Sequence, residues 1–270
     1  VSQELALRYM EPWVASLPVN AVVGFFQRKQ DSTYVRQTYE GSLAVMITEE
    51  LSAGFSIEQA NVFPTDRPGN PVGGSKAMNI GLSVFFDSRD SPVLPTGGVL
   101  YRTAYEIGTK ILEGRAPDRK RSEDRTGRLT FDLENYLSPL SGQILALAGH
   151  IRDFRSSIIE QSDMFRLGGA TSLRGYRESQ FVGSRIIWGT MEYRFLVGGR
   201  SFFYGFLDAG SIVVPENASA GLVKSEQTKL GYGVGVRLDT SLGLIGVSLA
   251  LGEDDTLRTG KLHLRLLNEF

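Results

Sequence analysis

A lone arginine on a glycine-hinged segment and two carboxylates on the strands after it could form a buried ion pair. Arg174 lies in FRLGGATSLRGYR, residues 165–177, between two apolar alternating runs. The glycines make that segment a poor helix, since each costs about 1 kcal/mol relative to alanine. Gly168 and Gly169 would let the chain fold back at positive φ, and Gly175 would let the arginine tip approach a wall. In IIWGTMEYRFLV, Ile187, Met191, Tyr193 and Phe195 share one face, with Glu192 and Arg194 on the other. In SFFYGFLDAGS, Phe203, Leu207 and Ala209 oppose Phe206 and Asp208. If the apolar sets face lipid, Glu192 and Asp208 point inward, where one planar guanidinium can engage both.

The following run, LGYGVGVRL, places Gly231, Gly233 and Gly235 on the inward face and Tyr232, Val234, Val236 and Leu238 outward. Inward glycines in register either clear a track for another backbone or relieve barrel curvature. Other chemistries find little support. Gly231-x-Gly233-x-Gly235 has neither the spacing nor the following helix of a dinucleotide site. His150 and His263 sit on separate strands without metal-ligand spacing, so no metal or cofactor is expected. Asp87, Arg89 and Asp90 suit a salt-bridged turn. The chain has no cysteine, which removes disulfides and thiolate sites. A net charge of -1 gives no electrostatic reason for a nucleic-acid partner.

Period-two alternation predicts the elements that carry these residues. Leu129, Phe131 and Leu133 alternate with Arg128, Thr130, Asp132 and Glu134. Tyr39, Leu43, Val45 and Ile47 alternate with Glu40, Ser42 and Ala44. The pattern predicts strands over 4–12, 19–29, 35–47, 51–62, 77–87, 97–109, 126–136 and 142–154. It continues over 184–197, 201–212, 228–239, 243–252 and 260–270. Most are roughly 9–13 residues, longer than the globular mean of about 5–6 and suited to a tilted membrane strand. Short connections (SLPVN, TEEL, SPLSG, LVGGRS, DTSLG) interleave with long ones, as in outer-membrane barrels. DSRDSPVLPTGG is an exception, longer but on the short side. Lys110 to Arg125 mixes both signs and reads as a solvated loop. The expected fold is an all-β antiparallel transmembrane barrel in one domain, residues 1–270. VSQELALRYM lacks the charged and apolar regions of a signal peptide, so the leader is expected to have been removed or the chain to be a fragment.

FRLGGATSLRGY resembles the signature loop of the BamA/TamA superfamily, outer-membrane proteins that insert or translocate other proteins. FFDSRDSPVLPTGG, MEYRF, FLDAG and LRYMEPW resemble further family segments in the same order. The resemblance implies a sixteen-stranded barrel with about thirteen strands present here, the first three and the N-terminal POTRA domains being absent. It makes Arg174 the loop-tip arginine, Glu192 and Asp208 its strand partners, Phe206 the aromatic beside it, and Phe165, Gly168, Gly169, Gly175 and Tyr176 parts of the signature. Leu262, Leu264, Leu266 and Phe270 resemble the C-terminal recognition signal, with Asn268 where an apolar residue is usual. The implied function is insertion of outer-membrane barrels through a lateral seam, without catalysis; a two-partner-type secretion pore is the alternative. The implied partners are the outer-membrane bilayer, unfolded β-barrel clients and periplasmic or lipoprotein accessory subunits.

Overall fold

A computed structural model describes residues 2–30, 33–66, 70, 72–113, 122–217, 222–241 and 243–267. Thirteen strands form one antiparallel sheet in chain order. They are β1 (Ser2–Glu11), β2 (Val19–Gln30), β3 (Tyr34–Met46), β4 (Leu51–Pro64), β5 (Ser75–Asp87), β6 (Gly98–Leu112), β7 (Ser122–Leu140) and β8 (Gln143–Arg155). A small separate hairpin follows, β9 (Phe165–Leu167) with β10 (Phe181–Gly183). The large sheet resumes with β11 (Arg185–Gly198), β12 (Ser201–Val214), β13 (Ser225–Thr240), β14 (Gly243–Gly252) and β15 (Lys261–Leu267). β8 pairs directly with β11, so the intervening chain leaves the wall and returns to it.

The strands are long because hydrocarbon cannot solvate a peptide group, so each must be satisfied by the ladder across the whole span. Their outward residues are apolar and exposed, such as Leu82, Val23, Val234 and Phe203. Inward residues are polar and paired: Arg128 on β7 reaches Glu58 at 3.1 Å and Glu106 at 3.3 Å. Among the described residues no helix is long and apolar enough to cross a membrane. The architecture is an all-β transmembrane barrel wall. Among those same residues, the free sides of β1 and β15 pair with no strand.

The short connections cluster at one end, which is the periplasmic end in such barrels. The 88–97 turn folds over that end, with Leu94 buried against Ile144 and Phe202. Arg89 grips Asp87 at 2.8 Å and Glu134 at 3.4 Å. Asp90 instead takes the Thr96 amide at 2.9 Å, so it is not part of that ion pair. Burial pushes the Asp90 carboxyl up, but the Thr96 hydroxyl and amides hold it below its usual range.

Lys110 to Arg125 is not one solvated loop. Lys110 lies inside on β6, 1% exposed, and residues 122–125 are the start of β7. The alternation across β6 continues through Lys110 because an inward cation there has acids to meet. Residues 114–121 of that stretch, and Asn268 and Phe270, lie outside the described residues.

Candidate functional site

The segment from Ser156 to Ser184 enters the bore and is fixed there in stages. Near its start, a single turn at Gln161–Asp163 presents two acids to Lys110. The Lys110 ammonium donates to Asp163 Oδ2 at 2.6 Å and to Glu160 Oε2 at 3.5 Å. Backbone amides complete the acids: Gly73 donates to Glu160 at 2.9 Å, and Glu160 donates to Asp163 at 2.9 Å. Arg36 on β3 donates to the Ser162 carbonyl at 2.6 Å.

The β9–β10 hairpin then carries an apolar knot. Leu167, Leu173, Tyr176 and Phe181 pack on Ile186 of β11 and Ile212 of β12, with Phe165 and Trp188 at the edge. Each buried leucine contributes about 1.5–3 kcal/mol toward holding the loop against the wall. Gly168 and Gly169 both have positive φ.

The knot delivers Arg174 to the acids. Its Nε donates to Asp208 Oδ2 at 2.7 Å and its Nη2 to Asp208 Oδ1 at 2.7 Å. Its backbone N–H also donates to Asp208 Oδ2, at 3.0 Å. Nη1 reaches Glu192 Oε1 at 2.5 Å. Asp208 is 0% exposed and Arg174 7%. Thr190 donates to Asp208 Oδ1 at 2.9 Å, while Arg194 forks onto Glu192 Oε2 at 2.9 and 2.7 Å. The guanidinium carbon lies 3.6 Å from the centre of the Phe206 ring, whose face attracts a desolvated cation. Such complete pairing is what makes buried charge tolerable, since an unpaired member would cost several kcal/mol.

Two glycines set how close the tip comes. Gly175 has φ +89°, and a Cβ there would lie 2.6 Å from the Leu251 carbonyl of β14. A Cβ at Gly231 would collide with the Arg174 carbonyl oxygen. Of the three inward glycines, Gly231 is the one that the loop backbone approaches. A Cβ at Gly233 would collide first with the Leu249 carbonyl oxygen of β14 and then with the Phe206 ring, whose Cζ lies 2.8 Å away, and Gly235 makes room for the Tyr204 ring. Rings on β12 lean across β13, so two of the three inward glycines serve the wall itself.

The tip also touches the last strand. The Gly175 amide donates to His263 Nε2 on β15 at 3.3 Å, and Tyr176 donates to the Leu230 carbonyl at 2.9 Å. On the outer face of β15, Leu262, Leu264 and Leu266 are exposed. His150 faces inward and pairs with Asp132 at 2.7 Å. Between the loop and the 88–97 turn lies a cavity of about 440 Å³, lined by Arg89, Glu134, His150, Arg174, Arg194 and Arg237 among others.

Alternation placed Glu192, Arg194, Phe206 and Asp208 on the inward face. Arg194, two residues from Glu192 on that face, was legible as a neighbour but not as its second partner. Lys110, Glu160, Asp163 and His263 carry no local motif. Their only signal is position on an inward face or inside the loop.

A family model described as the Omp85 superfamily domain matches residues 1–266. No curated protein sequence matches the chain. Among solved structures, BamA from Haemophilus ducreyi lacking POTRA domains 1–3 aligns at TM-score 0.67 and 14% identity, over 97% of this chain and 61% of that one. CdiB from Acinetobacter baumannii aligns at TM-score 0.51 and 12% identity, over 97% and 55%. At these identities the likeness is one of fold. The chain spans 61% and 55% of the lengths of these two structures.

Proposed function

The chain belongs to the Omp85 superfamily of bacterial outer-membrane barrels, and from that premise we propose that it works in the insertion of other β-barrel proteins. The observation that carries this reading is the loop tip, which joins the acids of β11 and β12 to His263 of β15. A wall braced from within can keep its curvature while a seam at β15 admits a client strand. The client would add by backbone hydrogen bonding to a strand edge, which needs no covalent step. Leu262, Leu264 and Leu266, with Phe270, would present the terminal strand to assembly machinery, and periplasmic or lipoprotein subunits would deliver clients.

A two-partner-type secretion pore is the second reading. It is favoured by the polar cavity between the loop and the periplasmic turn, which a passing chain could widen.

Arg174→Ala in the full-length protein tests the first reading. Client assembly in a complementation assay is expected to fall, while the protein's own insertion stays near normal. Wild-type assembly by that variant rules the bracing role out. Loss of secretion of one dedicated substrate, with client barrels unaffected, selects the pore.

A further inference from the structure

Beyond the bore, we propose that the outer wall holds a phosphorylated glycolipid of the extracellular leaflet, gripped by Arg125, Arg155 and Arg185. Each of these side chains faces out because its neighbour faces in. Thr126 donates to Asn79 within the bore at 2.9 Å, which turns Arg125 outward. Phe154 is buried beneath the Arg128 guanidinium at 5.7 Å, which turns Arg155 outward. Ile186 belongs to the apolar knot of the inner loop, which turns Arg185 outward.

Register brings the three together on β7, β8 and β11. Gly127 pairs with Arg155, and Asp153 pairs with Arg185. Arg125 and Arg155 are therefore diagonal neighbours, as are Arg155 and Arg185, at about 7–8 Å between backbones. Among the described residues, one buried acid serves the group. Asp153 takes Arg155 Nε at 2.7 Å and Arg185 Nε at 3.0 Å, while those arginine side chains stay 72% and 49% exposed. Arg125 forms no ion pair among the described residues. Glu123 shares its face but lies one pleat further from the apolar belt. By contrast, the exposed Lys76 nearby is matched by Glu113 at 4.0 Å.

The patch also holds an aromatic hydroxyl. Gly127 leaves no side chain between Arg125 and Arg155, and the Tyr105 hydroxyl stands 3.3 Å from where its Cβ would be. Tyr105 is exposed, as aromatic residues at a lipid–water boundary are.

Chemistry and position together select the occupant. Guanidinium forks match phosphate oxygens, and all three of these forks have donors beyond those that Asp153 takes. The same outward rows continue without a break into Leu133, Leu147, Ile187 and Met191, all exposed to lipid. A ligand here must be anionic at its head and apolar below. The arginines sit at the long-loop end, which is extracellular in such barrels. A phosphorylated glycolipid of the lipid A class has that form and lies in that leaflet.

The test uses the full-length protein in neutral detergent. It is titrated separately with diphosphorylated lipid A, dephosphorylated lipid A and phosphatidylglycerol, and retained lipid is read by native mass spectrometry. The phosphorylated form is expected to bind about tenfold tighter than the dephosphorylated one, the gain of one or two charge-assisted contacts. Arg125→Gln, which breaks no ion pair, should remove a large part of that preference, and adding Arg155→Gln should remove the rest. Heat-modifiable gel migration confirms that both variants remain folded. No preference for phosphate, unchanged preference in both folded variants, or equal retention of phosphatidylglycerol each overturns the proposal.

Discussion

The inner loop is moored at two places with the charges reversed. At its tip the loop brings the cation, Arg174, and the wall brings the acids. At its start the wall brings the cation, Lys110, and the loop brings Glu160 and Asp163. The two moorings also distribute their bonds differently. Three of the four bonds that Arg174 makes run through its guanidinium. At the start, each acid also holds a backbone amide that does not depend on Lys110. The first mooring should therefore fail as a unit, and the second should weaken by parts.

Asp208→Ala is the largest test of that contrast. It strips Arg174 of its bidentate partner, a carboxylate with no exposed surface, at a cost of about 3–5 kcal/mol to loop docking. Limited proteolysis should then cut at Arg174 or Arg177, where the native loop resists. Lys110→Met should cost less, about 1.5–3 kcal/mol, because Glu160 and Asp163 keep their amide donors. Hydrogen exchange over residues 160–163 should rise while the tip stays protected. Equal proteolytic opening in the two variants would break the comparison.

Charge exchange sharpens it. Lys110→Asp with Asp163→Lys should regain about 1 kcal/mol relative to the single changes, since a flexible ammonium needs only a nearby acid. Arg174→Asp with Asp208→Arg should regain nothing. The planar fork, the Thr190 hydroxyl and the Arg174 amide all address one carboxylate, and that geometry cannot be reversed. A double-mutant cycle on loop protection gives both values.

These moorings differ as much in how far sequence reveals them. Thirteen strands could be placed, since an error of one residue would turn every outward leucine inward. Strand ends were less legible: β7 runs on to Leu140, past the last clear alternation at Asn135. The tip could be read because its three charged members lie on a glycine loop and two alternating strands within 35 residues of sequence. The start could not. Lys110 stands 53 residues before Asp163 and adjoins a run of mixed charge that looks solvated. Pairing between distant strands has no local signature, and neither does the leaning of the Phe206 and Tyr204 rings over Gly233 and Gly235. His263 is the clearest case. Alternation puts it inward, but only the fold shows that a loop amide 88 residues earlier ends on its ring.

That last contact has the smallest expected energy and the most to say about the seam. His263→Phe keeps a ring of similar size and removes the acceptor of the Gly175 amide. The loss is one neutral hydrogen bond of 3.3 Å, about 0.5–1.5 kcal/mol. Both charged moorings remain, so proteolysis of the loop should not change. Exchange at β15 amides should quicken instead, because this bond ties that strand to the interior as well as to β14. If β15 exchange is unchanged while the Gly175 amide alone loses protection, the tip merely rests on the last strand. If both change together, the loop restrains the strand at which a client would enter, and the tip is the mooring that couples the interior of the barrel to its seam.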